Sequence, residues 1–314
     1  MTLRDRVLGG LWGSLVGDAL GVPVEFKERT VLQANPVTDL RGYGTHHQLP
    51  GTWSDDGALL LCTADSLVNA EFDTIDMGHR FTQWLEEGLW TARGEVFDLG
   101  LATQKALKRI QQGVLPETAG GQGEFDNGNG SLMRILPVAL RFAGRPILEL
   151  IDRVGRASAI THAHPCSKMA CALHALIVRC LVEGIDPGQA VQSARKDFAR
   201  VYAGASELQR FERLLVDQFD TLPEGVVVST GYVLHTLHAS LWALQNSSDF
   251  KTCVLRAVNL GGDTDTTGCV AGGLAGIHYG ADAIPQHWRE VLPRKEELAM
   301  LFHRFAALVD QNRV

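Results

Sequence analysis

Two short acidic segments carry the side chains best suited to chemistry. Ser54-Asp55-Asp56 and Gly261-Gly262-Asp263-Thr264-Asp265-Thr266 each place two carboxylates and a hydroxyl at an expected loop-to-helix junction. Carboxylates held this close repel, and burying them uncompensated is costly. All-oxygen donor sets of this kind suit a hard cation such as magnesium, manganese or calcium. Helix capping is the plainer account, since Ser, Thr and Asp are favoured just before a helix. Capping needs only one acid or hydroxyl, whereas here the pairing recurs beside glycines. A calcium loop opening at Asp263, Asp265, Thr267 and Gly268 fails, because Leu274 stands where such a loop needs glutamate.

A third feature is the turn Asn127-Gly128-Asn129-Gly130-Ser131, followed by Leu132-Met133-Arg134. Glycines let successive backbone N–H groups converge on an anion, and Ser131 is expected to open the next helix with its positive end nearby. No Gly-Lys-Ser/Thr ending makes it a phosphate loop of the nucleotide-hydrolase kind. An ordinary Asn-Gly turn is the alternative. His162 in Thr161-His162-Ala163-His164-Pro165-Cys166 is a plausible pocket donor, while no second tight His/Cys pair completes a zinc site. Asp98 sits just before an expected helix, where capping is its default role.

These segments need elements to hold them. Leu3, Val7, Leu8, Leu11, Leu15 and Leu20 recur at helical spacing, which predicts a helix over 3–20. Gly9, Gly13, Gly17 and Gly21 fall four apart on one side of it. Glycine weakens a helix by roughly 0.5–1 kcal/mol per residue, so the row implies a close neighbour. Gly268, Gly272, Gly276 and Gly280 repeat the spacing near the other end of the sequence, and the two glycine faces are expected to pack together. After a loop-like 28–53, a helix runs from Ser54 through the apolar stretch ending at Val68. Further helices are expected near 76–88, 98–112, 131–143, 147–160, 165–183, 188–202, 206–217, 229–245, 249–258, 265–279 and 294–311. The stretch 113–130 reads as a loop across a core. Strand alternation is nearly absent, Val226-Val227-Val228 being too short to build a sheet. The class is all-α, and one domain over 1–314 is expected.

Composition narrows the partners. Among 314 residues, 29 are basic and 36 acidic, a formal charge of −7 that gives no broad attraction to a phosphate backbone. No Lys/Arg block suggests a nucleic-acid groove. No stretch approaches the roughly 18 uncharged apolar residues of a membrane helix, and the N-terminus reads as neither signal nor anchor. Six cysteines without a CxxC pair fit reduced, mostly buried thiols in a cytoplasmic protein. Trp53, Trp84, Trp90, Trp242 and Trp288 are expected in or at the edge of the core, and His174, His235 and His238 on helices.

Taken together, the segments resemble the ADP-ribosylglycohydrolase family, especially bacterial members that act on dinitrogenase reductase. The resemblance rests on Gly17-Asp18-Ala19-Leu20-Gly21 with Glu25, on Gly51-Thr52-Trp53-Ser54-Asp55-Asp56, and on Phe97-Asp98-Leu99-Gly100. It continues through Gly128-Asn129-Gly130-Ser131-Leu132-Met133-Arg134, Thr161-His162 and the segment 261–266, all in family order over roughly 5–281.

The resemblance implies a compact, orthogonal multi-helix fold and two magnesium or manganese ions in a central cleft. Ser54, Asp55 and Asp56 match one ligand cluster, and Asp263, Asp265 and Thr266 the other. Glu25 matches a mobile acid beside the metals, and Asp98 a position assisting cleavage of an arginine-linked substrate; with Asp56 and Asp263 these are the expected catalytic acids. Asn127, Gly128, Asn129, Gly130, Ser131 and Met133 match the part that holds the diphosphate and adjacent ribose, and His162 a contact to the adenosine side. Ser54 departs from the family's usual Thr, and Gly57 stands where a further Thr is usual. The implied activity is metal-dependent removal of ADP-ribose from a modified protein, by cleavage of the N-glycosidic bond to arginine. Serine-linked ADP-ribose, O-acetyl-ADP-ribose or another small conjugate are alternative substrates. A non-catalytic ADP-ribose binder and a magnesium-dependent phosphohydrolase are the other classes. A monomer is expected.

Overall fold

The computed structural model describes residues 1–311. Its longer helices are α1 (Leu3–Gly21), α2 (Asp55–Asn69), α3 (Thr74–Glu87), α4 (Leu101–Gln111), α5 (Ile147–Ala159) and α6 (Pro165–Val182). They continue with α7 (Pro187–Val201), α8 (Val233–Gln245), α9 (Phe250–Val258), α10 (Thr264–Tyr279) and α11 (Lys295–Gln311). Among the described residues there is no strand, only isolated bridges at Tyr43–Gln48, Gly121–His162 and Gly128–Tyr232. The all-helical class read from the sequence holds.

At the centre α1 lies along α10. Thr2 opens α1 as a reciprocal cap with Asp5, its hydroxyl accepting from the Asp5 N–H at 3.1 Å. The glycine rows then meet face to face as their spacing predicted. A Cβ built on Gly17 would lie 1.9 Å from the Gly268 carbonyl oxygen, and one on Gly276 1.9 Å from that of Gly9. No side chain fits between these backbones. The contact puts the C-terminal end of α1, with Asp18, beside the N-terminal end of α10, with Asp265.

Both α1 and α6 contradict the expectation about membrane-length segments. Leu3–Val24 and Pro165–Val182 are long and apolar enough to cross a membrane by length and composition, yet 89% and 83% of those windows are buried inside the protein. Their apolar surface is taken up by neighbouring helices. The five tryptophans singled out above are buried, as are five of the six free cysteines, Cys180 being half-buried.

Several boundaries differ from the sequence expectation. The helix expected over 131–143 spans only Leu136–Phe142, with Pro137 in its first turn. Proline lacks an N–H and suits a helix start, and residues 129–135 instead form turns such as Leu132 N to Asn129 O at 2.7 Å. Ser131 therefore opens no helix. The stretch 206–217 breaks into a tight 3-10 turn, Ser206–Phe211, and a short helix, Glu212–Val216. The loops contain short helices that periodicity did not reveal, at Arg29–Ala34, Pro116–Ala119 and Gln286–Val291.

Candidate active site

Asp18 organises the first acidic cluster. It is fully buried and accepts from the Ser54 N–H at 3.0 Å and the Gly57 N–H at 2.8 Å. These bonds tie α1 to the first turn of α2. Ser54 caps that helix, its hydroxyl accepting from the Asp56 N–H at 3.2 Å. Asp55 and Asp56 thus enter the cleft from a helix start, where the backbone dipole favours negative charge. Burial pushes the Asp18 carboxyl up to about 7, and holds those of Asp55 and Asp56 well above the usual range.

The second cluster comes from the start of α10. Gly261 and Gly262 both adopt positive φ, and a Cβ on Gly262 would lie 2.0 Å from the Ser229 carbonyl oxygen. This glycine turn is stitched to the Glu25 segment through Phe26 N to Gly262 O at 2.7 Å and Gly262 N to Lys27 O at 2.9 Å. Asp263 receives the Asn129 amide at 2.9 Å, and the same amide nitrogen lies 2.8 Å from the Thr236 hydroxyl. The Thr266 hydroxyl reaches Asp56 at 3.4 Å, so the two clusters meet. Burial raises the Asp263 carboxyl, and raises that of Asp265 strongly, with neighbouring acids adding repulsion.

Three oxygens decide what the clusters are suited to. Asp56 Oδ2, Asp263 Oδ1 and Asp265 Oδ2 are buried and have no hydrogen-bond partner. Buried acceptors normally find a donor, and leaving one without is costly. Buried carboxylate oxygens without donors fit a divalent cation, which supplies the missing positive charge. Glu25 adds to this set: one oxygen each from Glu25, Asp263 and Asp265 lies within 4.8 Å of the others. A second group of the same tightness is Glu25, His46 and Asp98. Either set could coordinate a divalent metal.

The cleft above these carboxylates is lined by Glu25, Asp55, Asp56, Asp98, Asp263 and Thr266 on one side. Gly128, Asn129, Gly130, Met133 and His162 face them, with Thr103 nearby. Asp98 does not cap α4, whose N-cap is Gly100. It adopts φ +56° instead, and its carboxylate lies 3.9 Å from His46 Nε2. Two residues expected at the ligand lie elsewhere. Ser131 is fully buried, bonded to the Ser158 hydroxyl at 2.8 Å and beside the Cys171 thiol at 3.5 Å. The Asn127 amide turns to the Glu124 carbonyl at 2.8 Å, outside the cleft lining. Within the turn, the Asn129 N–H is already committed to the Gly231 carbonyl at 3.1 Å.

Sequence reasoning passed over His46. Its Nε2 lies 2.5 Å from Glu25, and its ring contacts Phe26 and Phe97. It sits in a stretch read only as loop, twenty-one residues from Glu25, so periodicity offered no signal. Asp18 was visible as part of a motif, without its clamping role.

A family model described as ADP-ribosylglycohydrolase matches residues 1–313. The chain belongs to the ADP-ribosylglycohydrolase family. As a member of the ADP-ribosylglycohydrolases it is a hydrolase, and its helical fold agrees with a solved structure, "ADP-ribosylglycohydrolase-related protein complex". That structure matches at a TM-score of 0.82 and 33% identity, over 98% of this chain and 99% of the other. The ADP-ribosylarginine hydrolase Tri1 of Pseudomonas putida is 32% identical over 305 residues, covering 95% of this chain and 76% of that protein. Its Serratia proteamaculans counterpart is 29% identical, covering 95% and 78%. The ADP-ribosyl-[dinitrogen reductase] glycohydrolase of Rhodospirillum rubrum is 32% identical over 300 residues, covering 94% and 93%. The expected placement beside the dinitrogenase-reductase members is thereby corrected, since both ADP-ribosylarginine hydrolases match the chain more strongly. Short motifs shared across the family did not separate its branches; similarity over the whole chain does.

Proposed function

We propose that the chain hydrolyses ADP-ribosylarginine in modified proteins, cleaving the N-glycosidic bond between ribose C1″ and the guanidinium. The observation that carries this reading is the juxtaposition of the donor-less oxygens of Asp56 and Asp263 with two further acids, Glu25 and Asp98, in one cleft, with Asp265 grouped against Glu25 and Asp263 at its floor. Similarity to the two Tri1 proteins supports the arginine linkage.

Ser54, Asp55, Asp56, Asp263, Asp265 and Thr266 would hold two magnesium or manganese ions, which when bound orient ribose hydroxyls and lower the pKa of a bound water. Hard oxygen donors favour these ions over softer ones. Burial pushes Glu25 up to about 8, and cations bound beside it would restore its ionised form, which would then take a proton from the attacking water. As the C1″–N bond breaks and C1″–O forms, positive charge grows on the ribose, and the surrounding carboxylates stabilise it. The water's oxygen stays on C1″ with its second proton, and the first, taken up by Glu25, ends on the guanidine nitrogen of the released arginine. Asp98 pairs with the guanidinium and orients it for departure. The Gly128–Gly130 turn and Met133 form the wall for the diphosphate side, and His162 offers a polar contact toward the adenosine side.

The test is product analysis with arginine- and serine-ADP-ribosylated peptides, each with magnesium, manganese or chelator. The expected result is metal-dependent release of intact ADP-ribose from the arginine peptide. Release only from the serine peptide overturns the linkage, and tight ADP-ribose binding without turnover on either overturns the catalytic reading. Phosphate as the product would point to a phosphohydrolase instead.

A further inference from the structure

Arg134 is fully buried and has no carboxylate partner among the described residues. Its guanidinium lies over the Phe81 ring, 4.5 Å from the centroid. It donates to the Ala157 carbonyl at 3.2 Å and to the Thr161 hydroxyl at 2.7 Å. A buried charge held without a counter-ion is expensive, so its placement calls for an account beyond filling space.

The account lies in the next bond. Thr161 Oγ1 is 2.8 Å from His162 Nδ1. Arginine can only donate, so Thr161 is the acceptor in its bond with Arg134. Thr161 is itself fully buried, and among the described hydrogen bonds Nδ1 is the one acceptor within reach of its O–H. The hydroxyl therefore donates to Nδ1, and a neutral imidazole that accepts at Nδ1 carries its proton on Nε2. That nitrogen faces the cleft. A Cβ built on Gly130 would lie 3.1 Å from Nε2, and one on Gly128 3.5 Å, so only glycine fits against this edge of the ring, and the turn and His162 line the cleft together. His162 is 3% exposed, and its Nε2 has no partner among the described hydrogen bonds. Burial and the nearby Arg134 charge push the imidazole down to about 3, which keeps it neutral.

We infer that Arg134 and Thr161 are positioning residues that fix His162 as its Nε2–H tautomer and aim that N–H at an acceptor oxygen of the bound ligand. Given the function proposed above, that oxygen belongs to a phosphate or ribose hydroxyl of ADP-ribose. A purely structural Arg134 would leave the histidine's proton unassigned.

Nitrogen-15 NMR of histidine-labelled protein tests the relay without turnover, the His162 signals being assigned by their loss in His162→Gln. The expected spectrum at neutral pH has Nε2 protonated and Nδ1 shielded by a hydrogen bond. In Thr161→Val the Nδ1 signal moves to that of an unbonded ring nitrogen, and Thr161→Ser restores it. Calorimetry with ADP-ribose should show roughly tenfold weaker binding in Thr161→Val and near-normal binding in Thr161→Ser, the loss of one oriented hydrogen bond. A wild-type His162 protonated on Nδ1 overturns the inference, and that spectrum needs no variant to fold. So does a Thr161→Val protein with unchanged Nδ1 shift and unchanged affinity. If the tautomer is as expected but the wild type does not bind ADP-ribose, the relay stands and the proposed ligand falls.

Discussion

His46 Nε2 lies 2.5 Å from a carboxylate oxygen of Glu25, and the same nitrogen is 3.9 Å from Asp98. One imidazole thus spans the two acids outside the paired aspartate clusters. Glu25 is shared with Asp263 and Asp265 on its other side, so His46 limits where that carboxylate can swing. Its ring is held between Phe26 and Phe97, with centroids 6.2 and 5.3 Å away. His46→Ala should free Glu25 and lower kcat on an arginine-ADP-ribosylated peptide by about tenfold to a hundredfold, the usual scale for a disturbed proton-transfer group. His46→Gln, which keeps a donor, should lose less. Equal kcat in all three proteins would remove His46 from the site.

The donor-less oxygens of the aspartate clusters make a claim about stability as well. Five buried acids, Asp18, Asp55, Asp56, Asp263 and Asp265, all have raised carboxyl pKa values, so their ionised forms strain the fold when no cation compensates. Magnesium or manganese at a hundred times its dissociation constant should stabilise the protein by about 3 kcal/mol, a rise of several degrees in Tm. Asp265→Asn should abolish most of that rise while leaving the metal-free Tm unchanged or higher, because it removes a buried charge. Differential scanning calorimetry with metal and with chelator reads both effects, and an identical metal-induced rise in the variant would refute the assignment of Asp265.

Gly57 stands where the family resemblance implies threonine, and the packing around it argues that restoring the side chain would do harm. A Cβ there would lie 2.8 Å from Leu15 Cδ2 and Trp53 Cδ1, and 2.9 Å from Asp18 Oδ2. Leu15 could rotate, but the Trp53 ring is buried and Asp18 is held by the Ser54 and Gly57 N–H groups. Gly57→Thr should cost about 1–3 kcal/mol in urea unfolding, as overpacked cores do, and should weaken metal binding by displacing Asp18. Unchanged stability with tighter metal binding would show instead that the site misses a hydroxyl.

How much of this was legible in the sequence depends on the range of the signal. Glycines at a four-residue spacing predicted the α1–α10 contact because close backbone approach leaves no alternative residue, and the distances bear this out. The paired acids at Ser54–Asp56 and Asp263–Thr266 were visible because unlike residues at a helix start are conspicuous. His46 and the Asp18 clamp were not, since each acts across a tertiary contact that no local pattern encodes. The turn at 127–134 misled for a related reason. Ser131 had the composition of a helix start, yet the burial of Arg134 and the position of Pro137 hold that stretch in turns until Leu136. The sequence reading understated the apolar length of α1 and α6, whose surfaces are covered by other helices.

His174 offers a test of pH dependence away from the metal clusters. It lies on α6, 2% exposed, with Nδ1 lacking a partner, and burial alone pushes its imidazole down to about 4. In the unfolded chain it titrates near its ordinary value of 6.5. Above that pH both states are neutral and the residue contributes nothing to the pH profile. As pH falls from 6.5 toward 4, the unfolded state takes up a proton that the folded state refuses, so stability declines over that window. At pH 4.5 the loss from this one group is ~2–3 kcal/mol. His174→Gln removes the titration and keeps a polar side chain of similar size. The buried carboxylates and His162 also titrate, but they do so in both proteins and cancel in the comparison. Urea midpoints at pH 7.0 and 4.5 should therefore show the variant gaining on the wild type as the pH drops. A gap between the two proteins that stays constant across that range would mean that His174 is protonated in the native state, with a solvent path that its burial does not suggest.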